Sequence, residues 1–305
     1  MSAYPKTIEL TEVGMRDGFQ MESLVLPAAQ KIGVGRALID AGVRHLEATS
    51  FVSPAAIPQL ADAAEVVSGL KGRGAELSAL VPNANGARRA VDAGIDRMTV
   101  FVSASETHNK KNVRRTIAES LSGLAEIGAI AADSGVRLGG AVSTAFGCPF
   151  EGEVSTDAVL RVVDGYAAMG ADTVSLGDTT GMATPPVVTA ICEEVMRRFP
   201  QMHLALHFHN TRGIGLVNVM TGLALGVERF ESSIGGLGGC PFAVGATGNI
   251  CTEDLVYMLD EMGIASGIDL NKLIAVAKGV EELFGRELPG QVMKAGPRLR
   301  KASHG

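Results

Sequence analysis

The sequence predicts an α/β fold, namely a (β/α)8 barrel of the TIM-barrel type with additional C-terminal helices and a glycine-rich lid loop. Eight short β-branched or apolar runs recur along the chain, and stretches with helical periodicity separate them. The 305 residues exceed the roughly 250 residues of a typical barrel by a modest C-terminal margin. A composition of 46% hydrophobic and 20% charged residues suits one large core. We therefore expect a single domain over residues 1–305.

The predicted elements follow each other in barrel order. Strands are expected at 7–13, 43–49, 76–81, 97–102, 137–142, 171–176, 203–208 and 229–234. Amphipathic stretches at 116–134 and 157–169 predict helices, and the pairs Ser53-Pro54 and Thr184-Pro185 indicate helix starts, because Pro is tolerated at the first helical position. After the eighth strand, we expect a helical extension at about 252–290 and a flexible tail at 291–305.

Composition and charge exclude several classes of function. The net charge of −6 argues against a general nucleic-acid binder, since phosphate binding needs an excess of Lys and Arg. Cys148, Cys192, Cys240 and Cys251 form no Cys-x-x-Cys pair and indicate reduced thiols. No signal sequence, membrane-spanning run, dinucleotide fingerprint or P-loop is recognisable. We therefore expect a cytoplasmic protein that has neither a nucleic-acid nor a membrane partner.

His207 and His209 lie one residue apart in an apolar run. In a β-strand, side chains at i and i+2 point to the same face, about 7 Å apart along the strand. Two histidines on one buried face both need partners, and a shared metal ion supplies one. We favour metal binding over the alternative, an ordinary polar pair in the core.

The segment 12–20, EVGMRDGFQ, ends the first predicted strand. Arg16 and Asp17 could form an ordinary surface ion pair, which contributes little to stability. The flanking Gly14 and Gly18 instead favour a sharp turn and a close approach to a ligand. In that case Asp17 supplies an oxygen ligand to the metal, and Arg16 offers donors to a developing oxyanion.

The segment 235–249, GGLGGCPFAVGATGN, contains too many glycines to form regular structure. An anion-binding loop and a plain connector are possible interpretations, but we favour a mobile lid that carries Cys240 to the barrel mouth. Its thiol would then serve in proton transfer or respond to oxidation. Asn249 can offer an amide oxygen as a fourth protein ligand to the metal. Cys148, in a similar GCPF tetrapeptide without surrounding glycines, is expected to be structural.

Polar residues stand near the predicted strand ends in all eight units. In a (β/α)8 barrel the functional side chains cluster at the carboxyl ends of the strands. The residues at these positions are Arg16, Asp17, Glu47, Asn83, Ser103, Ser143, Asp178, His207, His209 and Cys240. The sequence therefore predicts that residues far apart along the chain share one barrel mouth.

Taken together, these motifs resemble the 3-hydroxy-3-methylglutaryl-CoA lyases, from Ile8 to about Leu283. The motifs are EVGMRDG at 12–18, EATSFVSP at 47–54, SLGDT at 175–179, HFH at 207–209, GGLGGCP at 235–241 and GNICTEDLVYML at 248–259. The cysteine loop is highly specific to these lyases. The chain is also similar to the wider group of barrel lyases and Claisen-type synthases that share the Arg-Asp and His-x-His motifs.

The resemblance implies a set of site residues and a cofactor. The positions matching ligands of a divalent metal, Mg²⁺ or Mn²⁺, are Asp17, His207, His209 and Asn249. Those implicated in catalysis or in supporting the site are Arg16, Asp17, Glu47, Asp178, His207, Cys240 and Glu253. The residues expected to bind the substrate or its CoA part are Gln20, Arg212, Lys110 and Lys111. For the basic cluster 110–115, a solvated helix start is the alternative. We also expect a homo-oligomer, a dimer.

The resemblance further implies cleavage of 3-hydroxy-3-methylglutaryl-CoA, a CoA thioester, to acetyl-CoA and acetoacetate. Arg16 would stabilise the enolate oxygen of acetyl-CoA, and Cys240 would protonate its carbon. The group that removes the hydroxyl proton remains open between Asp17, His207 and a water held by Glu47.

Three sites in the sequence depart from the usual pattern of these lyases. Asn210 replaces the usual Asp, Arg212 stands where Tyr is common, and Gly139-Gly140-Ala141 stands where the family tends to carry Arg-Gly-Tyr. Such changes would reshape the substrate pocket without touching the metal ligands. A lyase acting on citramalyl-CoA, which releases pyruvate, is therefore the nearest alternative. A Claisen-type synthase and a non-catalytic CoA-binding protein are more distant alternatives.

Overall fold

The computed structural model of the chain describes residues 4–239 and 248–299. Eight parallel strands form a closed barrel in sequence order, with the last strand pairing with the first. They are β1 (Glu9–Glu12), β2 (His45–Ser50), β3 (Glu76–Leu80), β4 (Arg97–Ser103), β5 (Arg137–Ser143), β6 (Thr173–Asp178), β7 (His203–Phe208) and β8 (Arg229–Ser232). The (β/α)8 fold is thus confirmed, and every predicted strand overlaps an observed one.

Helices separate the strands and continue beyond the last one. They are α1 (Ala28–Asp40), α2 (Ala63–Leu70), α3 (Ala84–Ala93), α4 (Glu106–Val113), α5 (Ile117–Ser134), α6 (Thr156–Ala168), α7 (Pro185–Arg198), α8 (Gly215–Ala224), α9 (Thr252–Met262), α10 (Leu270–Phe284) and α11 (Val292–Ala295). Within residues 4–239 and 248–299, no helix has the length and hydrophobicity needed to cross a bilayer.

The C-terminal helices begin where the sequence predicts them, at Thr252. Among the described residues α9 is the first α-helix after β8, so it occupies the place of the eighth barrel helix, and α10 and α11 are additions to the repeat. The division into one domain, an extension at about 252–290 and a tail at 291–305 remains a prediction. Met293 of α11 is buried, and the Val292 backbone N–H donates to the Asp254 carboxylate at 2.7 Å. The first residues of the predicted tail are therefore packed against α9.

One of the two predicted helix starts is correct. Thr184-Pro185 does precede α7, which begins at Pro185. Ser53-Pro54 instead opens a single turn, in which the N–H groups of residues 56 and 57 donate to the Ser53 carbonyl. Pro58 follows, and because it lacks an N–H it cannot continue the turn. The helix of this unit, α2, consequently begins only at Ala63.

The strand residues that face outward pack against the helices. Tyr166 of α6 lies over Gly140 of β5, where a Cβ atom would stand only 2.2 Å from the Tyr166 ring. The Tyr166 hydroxyl donates to the Ala141 carbonyl at 2.7 Å. Since side chains alternate along a strand, Gly139 and Ala141 face the barrel interior.

The barrel interior is unusually polar. Barrels of this kind are normally filled by bulky branched side chains, whereas here polar and small residues dominate. The interior positions that line a small space along the barrel axis include Glu9, Thr11, Glu47, Ser78, Thr99, Gly139, Ala141, Thr173, Ser175, Ala205 and Glu231.

Ion pairs close the N-terminal end of the barrel. Glu76, the first residue of β3, contacts Arg97 at 2.6 Å and Arg137 at 2.6 Å, and these arginines begin β4 and β5. Arg97 also pairs with Asp172, just before β6. Opposite charges from neighbouring strands thus compensate each other at this end, and the functional residues gather at the other.

Candidate active site and metal centre

The two histidines of β7 converge as strand alternation predicts. Both side chains are buried, and their Nε2 atoms lie 3.1 Å apart. The backbone of His209 forms an antiparallel bridge with Asn249, so the segment after the glycine-rich loop runs beside the end of β7. Two imidazole nitrogens at this separation face a common point, as two ligands of one ion do.

Asp17 completes a group of three potential ligands. One ligand atom from each of Asp17, His207 and His209 lies within 4.8 Å of the others. Asp17 belongs to one turn of π-helix, Gly14–Gly18, which follows β1. The backbone turns here within this short helix, and Gly18 itself has ordinary helical angles. Glycine is needed there for close approach, since a Cβ on Gly18 would stand 2.7 Å from the Leu237 side chain.

Asn249 lies beside this group with an unsatisfied oxygen. Its Nδ2 donates to Asp17 Oδ2 at 2.7 Å and to the Leu237 carbonyl at 3.0 Å. Its Oδ1 is buried and has no hydrogen-bond partner among the described residues. A buried amide oxygen without a partner is costly, and a cation would satisfy it. The carboxylate, two imidazoles and amide oxygen therefore fit a divalent metal ion.

Arg16 and Asp17 do not form a surface ion pair. Their side chains are only 13% exposed, and Arg16 Nη1 lies 2.5 Å from Asp17 Oδ1. Arg16 Nε also donates to Glu47 Oε2 at 2.6 Å. Burial alone would lower the pKa of Arg16, but the two carboxylates raise it above its usual value. These bonds use two of the five guanidinium N–H groups, so the side chain is fixed while donors remain for a ligand.

Burial and neighbouring charges divide the carboxylates into two kinds. Burial would raise the pKa of Asp17, but Arg16 and then His207 and His209 hold that pKa at about 2. For Glu47, burial dominates and raises its pKa to about 7, aided by the nearby Glu231. Asp17 is thus a permanent anion at neutral pH, whereas Glu47 can exchange a proton. Glu47 lies within β2 rather than at its end, directly beneath Arg16.

Glu231 of β8 belongs to the site, although the sequence analysis missed it. Its Oε2 lies 2.9 Å from Nδ1 of His207. This contact lowers the pKa of Glu231 despite its burial, and it raises the pKa of His207. Because the Glu231 carboxylate binds Nδ1 of His207, the other ring nitrogen, Nε2, faces His209 and Asp17. Strand alternation on β8 could have put Glu231 inside the barrel, but its pairing with His207 depends on the strand register.

These residues surround a cavity of about 230 Å³ at the carboxyl ends of the strands. The side that comes from β1, β7 and β8, here named the polar wall, consists of Arg16, Asp17, Gln20, His207, His209 and Glu231. The side that comes from β3, β4, β5 and the loop after β2, here named the apolar wall, consists of Val52, Ile57, Leu80, Phe101 and Ala141. Gln20 donates to Asp17 Oδ1 at 3.1 Å. The cavity can therefore hold a ligand with one polar and one apolar side.

Asp178 and Glu253 support the loops around the cavity. Asp178 Oδ1 accepts the backbone N–H groups of Met182 at 2.6 Å and Ala183 at 2.9 Å. Glu253 Oε2 accepts the N–H of Gly235 at 3.0 Å. Burial raises the pKa of Asp178 to about 7 and that of Glu253 to about 8. Neither residue belongs to the polar wall.

Glu12, another residue that the sequence analysis did not single out, joins the two loops that flank the metal group. Its Oε1 accepts the N–H of Gly14 at 2.8 Å and that of Ile234 at 2.9 Å, and its Oε2 accepts the Thr252 hydroxyl. Burial raises the pKa of Glu12 to about 7, although these hydrogen bonds oppose the shift.

The residues predicted to bind substrate or CoA lie around the mouth. Gln20 lines the cavity, but the Arg212 guanidinium donates to the carbonyls of Thr180 and Gly181 and holds the loop after β6. On α4, Lys110 lies 3.4 Å from Glu106, and Lys111 stands 4.9 Å from the centre of the Phe150 ring. Both lysines are exposed.

The remaining strand-end residues have mixed roles. Ser143 lines the cavity, whereas Asn83 caps α3 and Ser103 Oγ lies 2.7 Å from Thr144 Oγ1. Cys148 is buried and its thiol donates to Ser105 at 3.0 Å, consistent with a structural role. Cys240 lies outside the described residues.

Comparisons with known proteins identify relatives of the chain. A family model described as HMGL-like matches residues 7–280. The chain is 43% identical over 289 residues to the hydroxymethylglutaryl-CoA lyase YngG of Bacillus subtilis, covering 94% of this chain and 97% of that protein. It is 39% identical over 300 residues to the human mitochondrial hydroxymethylglutaryl-CoA lyase, covering 98% and 92%.

A solved structure has nearly the same fold. It is an HMG-CoA lyase from Acinetobacter baumannii in complex with coenzyme A and 3-methylmalate, with a TM-score of 0.93 and 43% identity over 99% of both chains. Sequence and fold therefore lead to the same assignment as the motifs. The chain belongs to the HMGL-like family, together with the hydroxymethylglutaryl-CoA lyases.

Proposed function

We propose that the protein is a divalent-metal-dependent carbon–carbon lyase that cleaves 3-hydroxy-3-methylglutaryl-CoA to acetyl-CoA and acetoacetate. The observation that carries this proposal is the convergence of Asp17, His207 and His209 beside the buried pair of Arg16 and Glu47. Lyases of that name from Bacillus subtilis and human mitochondria share about two-fifths of the sequence over nearly the whole chain.

The proposed metal ligands are Asp17, His207, His209 and Oδ1 of Asn249, with Mg²⁺ or Mn²⁺ as the ion. When bound, the ion acts as a Lewis acid that makes the tertiary hydroxyl of the substrate easier to deprotonate. A metal-ligating histidine usually has a hydrogen-bond partner on its other ring nitrogen. Glu231 is that partner for His207, on Nδ1.

Cleavage of the C2–C3 bond leaves its electron pair in the enolate of acetyl-CoA, while the C3 hydroxyl becomes a ketone. Arg16 is fixed by Glu47 and Asp17 at the polar wall, where its remaining N–H groups can stabilise the enolate oxygen. Asp17 is a weak base because its pKa is about 2. Both ring nitrogens of His207 are occupied, Nδ1 by Glu231 and Nε2 by the proposed metal, so a water held by Glu47 is the better base for the hydroxyl proton.

Cys240 is proposed to protonate the enolate carbon. Gly239, the residue before it in the sequence, lines the cavity. Replacing Cys240 with Ala should leave metal binding intact and reduce kcat by about 10²–10⁴-fold, the usual contribution of a general acid. His209→Ala should instead remove the metal itself. Elemental analysis of both purified variants separates these roles, and loss of metal from Cys240→Ala would contradict the assignment.

We further propose that Lys110 and Lys111 contact the phosphates of CoA, because Asn112 of the same helix lines the cavity. A reducing compartment such as the cytoplasm suits the chain, since Cys148, Cys192 and Cys251 are buried free thiols. A homodimer is the proposed assembly, and sedimentation velocity would measure the mass of the particle in solution.

The proposed activity is tested by product analysis with two thioesters. 3-Hydroxy-3-methylglutaryl-CoA and citramalyl-CoA are each incubated with the metal-loaded enzyme, and acetoacetate and pyruvate are quantified separately. We expect acetoacetate from the first substrate at the higher kcat/KM. Faster release of pyruvate from citramalyl-CoA would make citramalyl-CoA the substrate instead. The absence of turnover with either thioester would favour a non-catalytic protein or a synthase.

A further inference from the structure

Thr144, directly after β5, has a backbone conformation that threonine rarely adopts. Its φ angle is 55°, in the left-handed region, and in the described ranges Arg114 is the only other non-glycine residue with a positive φ. A β-branched residue in this region is strained, and such strain persists only where the surroundings hold it, often at functional sites. Thr144 is completely buried and follows Ser143, which lines the cavity.

Hydrogen bonds of the Thr144 hydroxyl hold the residue in this conformation. The hydroxyl donates to the Ser143 carbonyl at 2.7 Å, and Ser103 Oγ lies 2.7 Å from the same oxygen. Because the Thr144 proton is used for the carbonyl, Ser103 is the donor of the second bond. Ser103 Oγ in turn accepts the N–H of Ser105 at 3.1 Å. The hydroxyl of Thr144 is therefore what maintains the strained backbone.

The left-handed conformation directs two successive N–H groups toward β6. In an extended strand, successive N–H groups point to opposite sides. Here the N–H of Thr144 donates to Thr179 Oγ1 at 3.0 Å, and that of Ala145 donates to the Gly177 carbonyl at 3.0 Å. Strand β6 stands between β5 and β7, and both Gly177 and Thr179 line the cavity. Thr144 therefore fixes the part of the cavity lining that borders the strand of His207.

The N–H of Thr144 also determines how the Thr179 hydroxyl can bond. A hydroxyl has one proton and two acceptor lone pairs, and this N–H occupies one of the lone pairs. In the part of the chain that the structure describes, Thr179 Oγ1 accepts this bond and donates to no other residue. Since the side chain lines the cavity, its proton is available to a ligand there.

We propose that Thr144 is a positioning residue, whose strained backbone orients the Thr179 hydroxyl as a donor to a negatively charged oxygen of the bound acyl group. The inference rests on the proposed function, because that reaction offers two such oxygens, the carboxylate of the substrate and the enolate of acetyl-CoA. Thr144 is buried behind the cavity lining and does not contact the ligand itself. It acts through Thr179, so the contributions of the two residues to turnover depend on each other.

A double-variant comparison with 3-hydroxy-3-methylglutaryl-CoA tests this dependence. Thr179→Val, which has the same shape but no hydroxyl, should lower kcat/KM by about 10–100-fold, the range for one hydrogen bond to a charged group. Thr144→Ala should lower it by about fivefold or more, because the Thr179 hydroxyl loses its fixed orientation. Added to Thr179→Val, Thr144→Ala should cause little further loss. If the two single losses multiply in the double variant, the residues act independently and the inference is overturned.

The separate kinetic constants identify the oxygen that Thr179 contacts. A rise in KM with kcat unchanged in Thr179→Val assigns the contact to the carboxylate, which is charged in the ground state. A fall in kcat assigns it to the enolate, whose charge develops only during cleavage. Thr144→Ala should show the same division between KM and kcat. A different division would contradict the proposed action through Thr179.

Controls separate positioning from general damage to the fold. Thr144→Ser keeps the hydroxyl and should retain most of the activity that Thr144→Ala loses. Thr189→Ala removes a hydroxyl that donates to the Pro185 carbonyl at 2.9 Å on α7, and it should leave kcat/KM unchanged. A crystal structure of Thr144→Ala should lack the bond from residue 144 to Thr179 Oγ1, and its retention would overturn the inference. Inactivity of the unaltered enzyme would overturn the proposed function as well, whereas independent effects in an active enzyme would overturn this inference alone.

Discussion

Single side chains in this site act mainly by orienting one another. Glu231 contacts Nδ1 of His207, and Glu47 contacts Nε of Arg16, so His207 and Arg16 each have an acidic partner behind them. Metal-ligating histidines characteristically donate their second ring N–H to such a partner, which fixes the tautomer and the ring orientation. The affinity of the site for metal should therefore depend on residues that do not touch the ion.

Glu231 provides the clearest test of this dependence. Glu231→Ala should raise the dissociation constant for Mn²⁺ by about 10–100-fold, because His207 loses the partner that directs Nε2 at the ion. Glu231→Gln retains an acceptor and should have a smaller effect. Isothermal titration calorimetry of the metal-depleted proteins measures both. Glu228→Ala, at an exposed residue three positions earlier, is the control. Unaltered Mn²⁺ affinity in Glu231→Ala would contradict the orienting role.

The limits of sequence reasoning are clear at this scale. His207, His209 and Asp17 could be proposed from local spacing and motif, since each stands in a short pattern that the chemistry requires. Glu231 could not, because its role follows from the register between β7 and β8, which alternation along one strand does not specify. Arg212 was expected in the substrate pocket, but the carbonyls that bind its guanidinium belong to a loop distant in sequence.

At the scale of elements, buried glutamates hold the loops that carry the site. Glu12 accepts from backbone N–H groups of Gly14 and Ile234, and Glu253 accepts from Gly235. The turn bearing Asp17 and the start of the glycine-rich segment are thereby fixed to the barrel and to α9. To hold these loops, the carboxyl groups of Glu12 and Glu253 must be buried, which is unfavourable for their charged forms.

The Glu253 carboxyl makes the stability of this region depend on pH. Burial raises its pKa from the usual 4.5 to about 8 in the folded protein, so the folded state retains a proton that the unfolded state has lost. The free energy of unfolding should therefore fall as pH rises from about 4.5 to about 8. Glu253→Gln removes this dependence and should become more stable relative to the unaltered protein, by on the order of 2 kcal/mol, between about pH 5 and pH 8.

Urea unfolding at several pH values measures this difference. Glu65→Gln, at an exposed position on α2, serves as the control because an exposed carboxyl retains its solvation on folding. If the difference between Glu253→Gln and the unaltered protein stayed constant with pH, Glu253 would be ionised in the folded state. The assigned role for burial would then be wrong.

The elements themselves were more predictable than their boundaries. Strand β7 was located to the residue, because an apolar run is bounded by polar residues on both sides, and α5 was located from the amphipathic stretch at 116–134, which ends at the same residue as the helix. The Ser53-Pro54 pair misled because the signal is local, whereas Pro58, four residues later, ends the turn that it begins. A helix-start signal therefore predicts a helix only when the residues after it can all donate a backbone N–H.

At the scale of the whole molecule, the barrel has two ends with different tasks. The carboxyl ends of the strands carry the site, and the opposite end is held by ion pairs among the first residues of β3, β4 and β5. The eightfold repetition of strand and helix made this architecture predictable from sequence. The pairings in the polar interior were not predictable, because alternation along one strand shows which residues share a face but not which side chains of neighbouring strands meet.

Loss of one charge at the closed end should affect stability without affecting catalysis. Arg97→Ala leaves Glu76 and Asp172 without their shared partner and should reduce the free energy of unfolding by about 3 kcal/mol. Denaturant unfolding measures this change, while kcat of the folded fraction should be unaltered. Arg88→Ala breaks a pair with Glu126 whose side chains are 59% and 58% exposed, and it should cost less than about 1 kcal/mol. A large loss of kcat in Arg97→Ala would contradict this separation of the two ends.

The dependence of cleavage on a metal held by Asp17, His207, His209 and Asn249 is the central claim. It is tested most directly by measuring acetoacetate release from 3-hydroxy-3-methylglutaryl-CoA with protein depleted of metal by chelation, before and after Mn²⁺ or Mg²⁺ is restored. We expect negligible release from the depleted protein and recovery of turnover in proportion to the ion bound. Full turnover by protein with no metal detectable by elemental analysis would contradict the account.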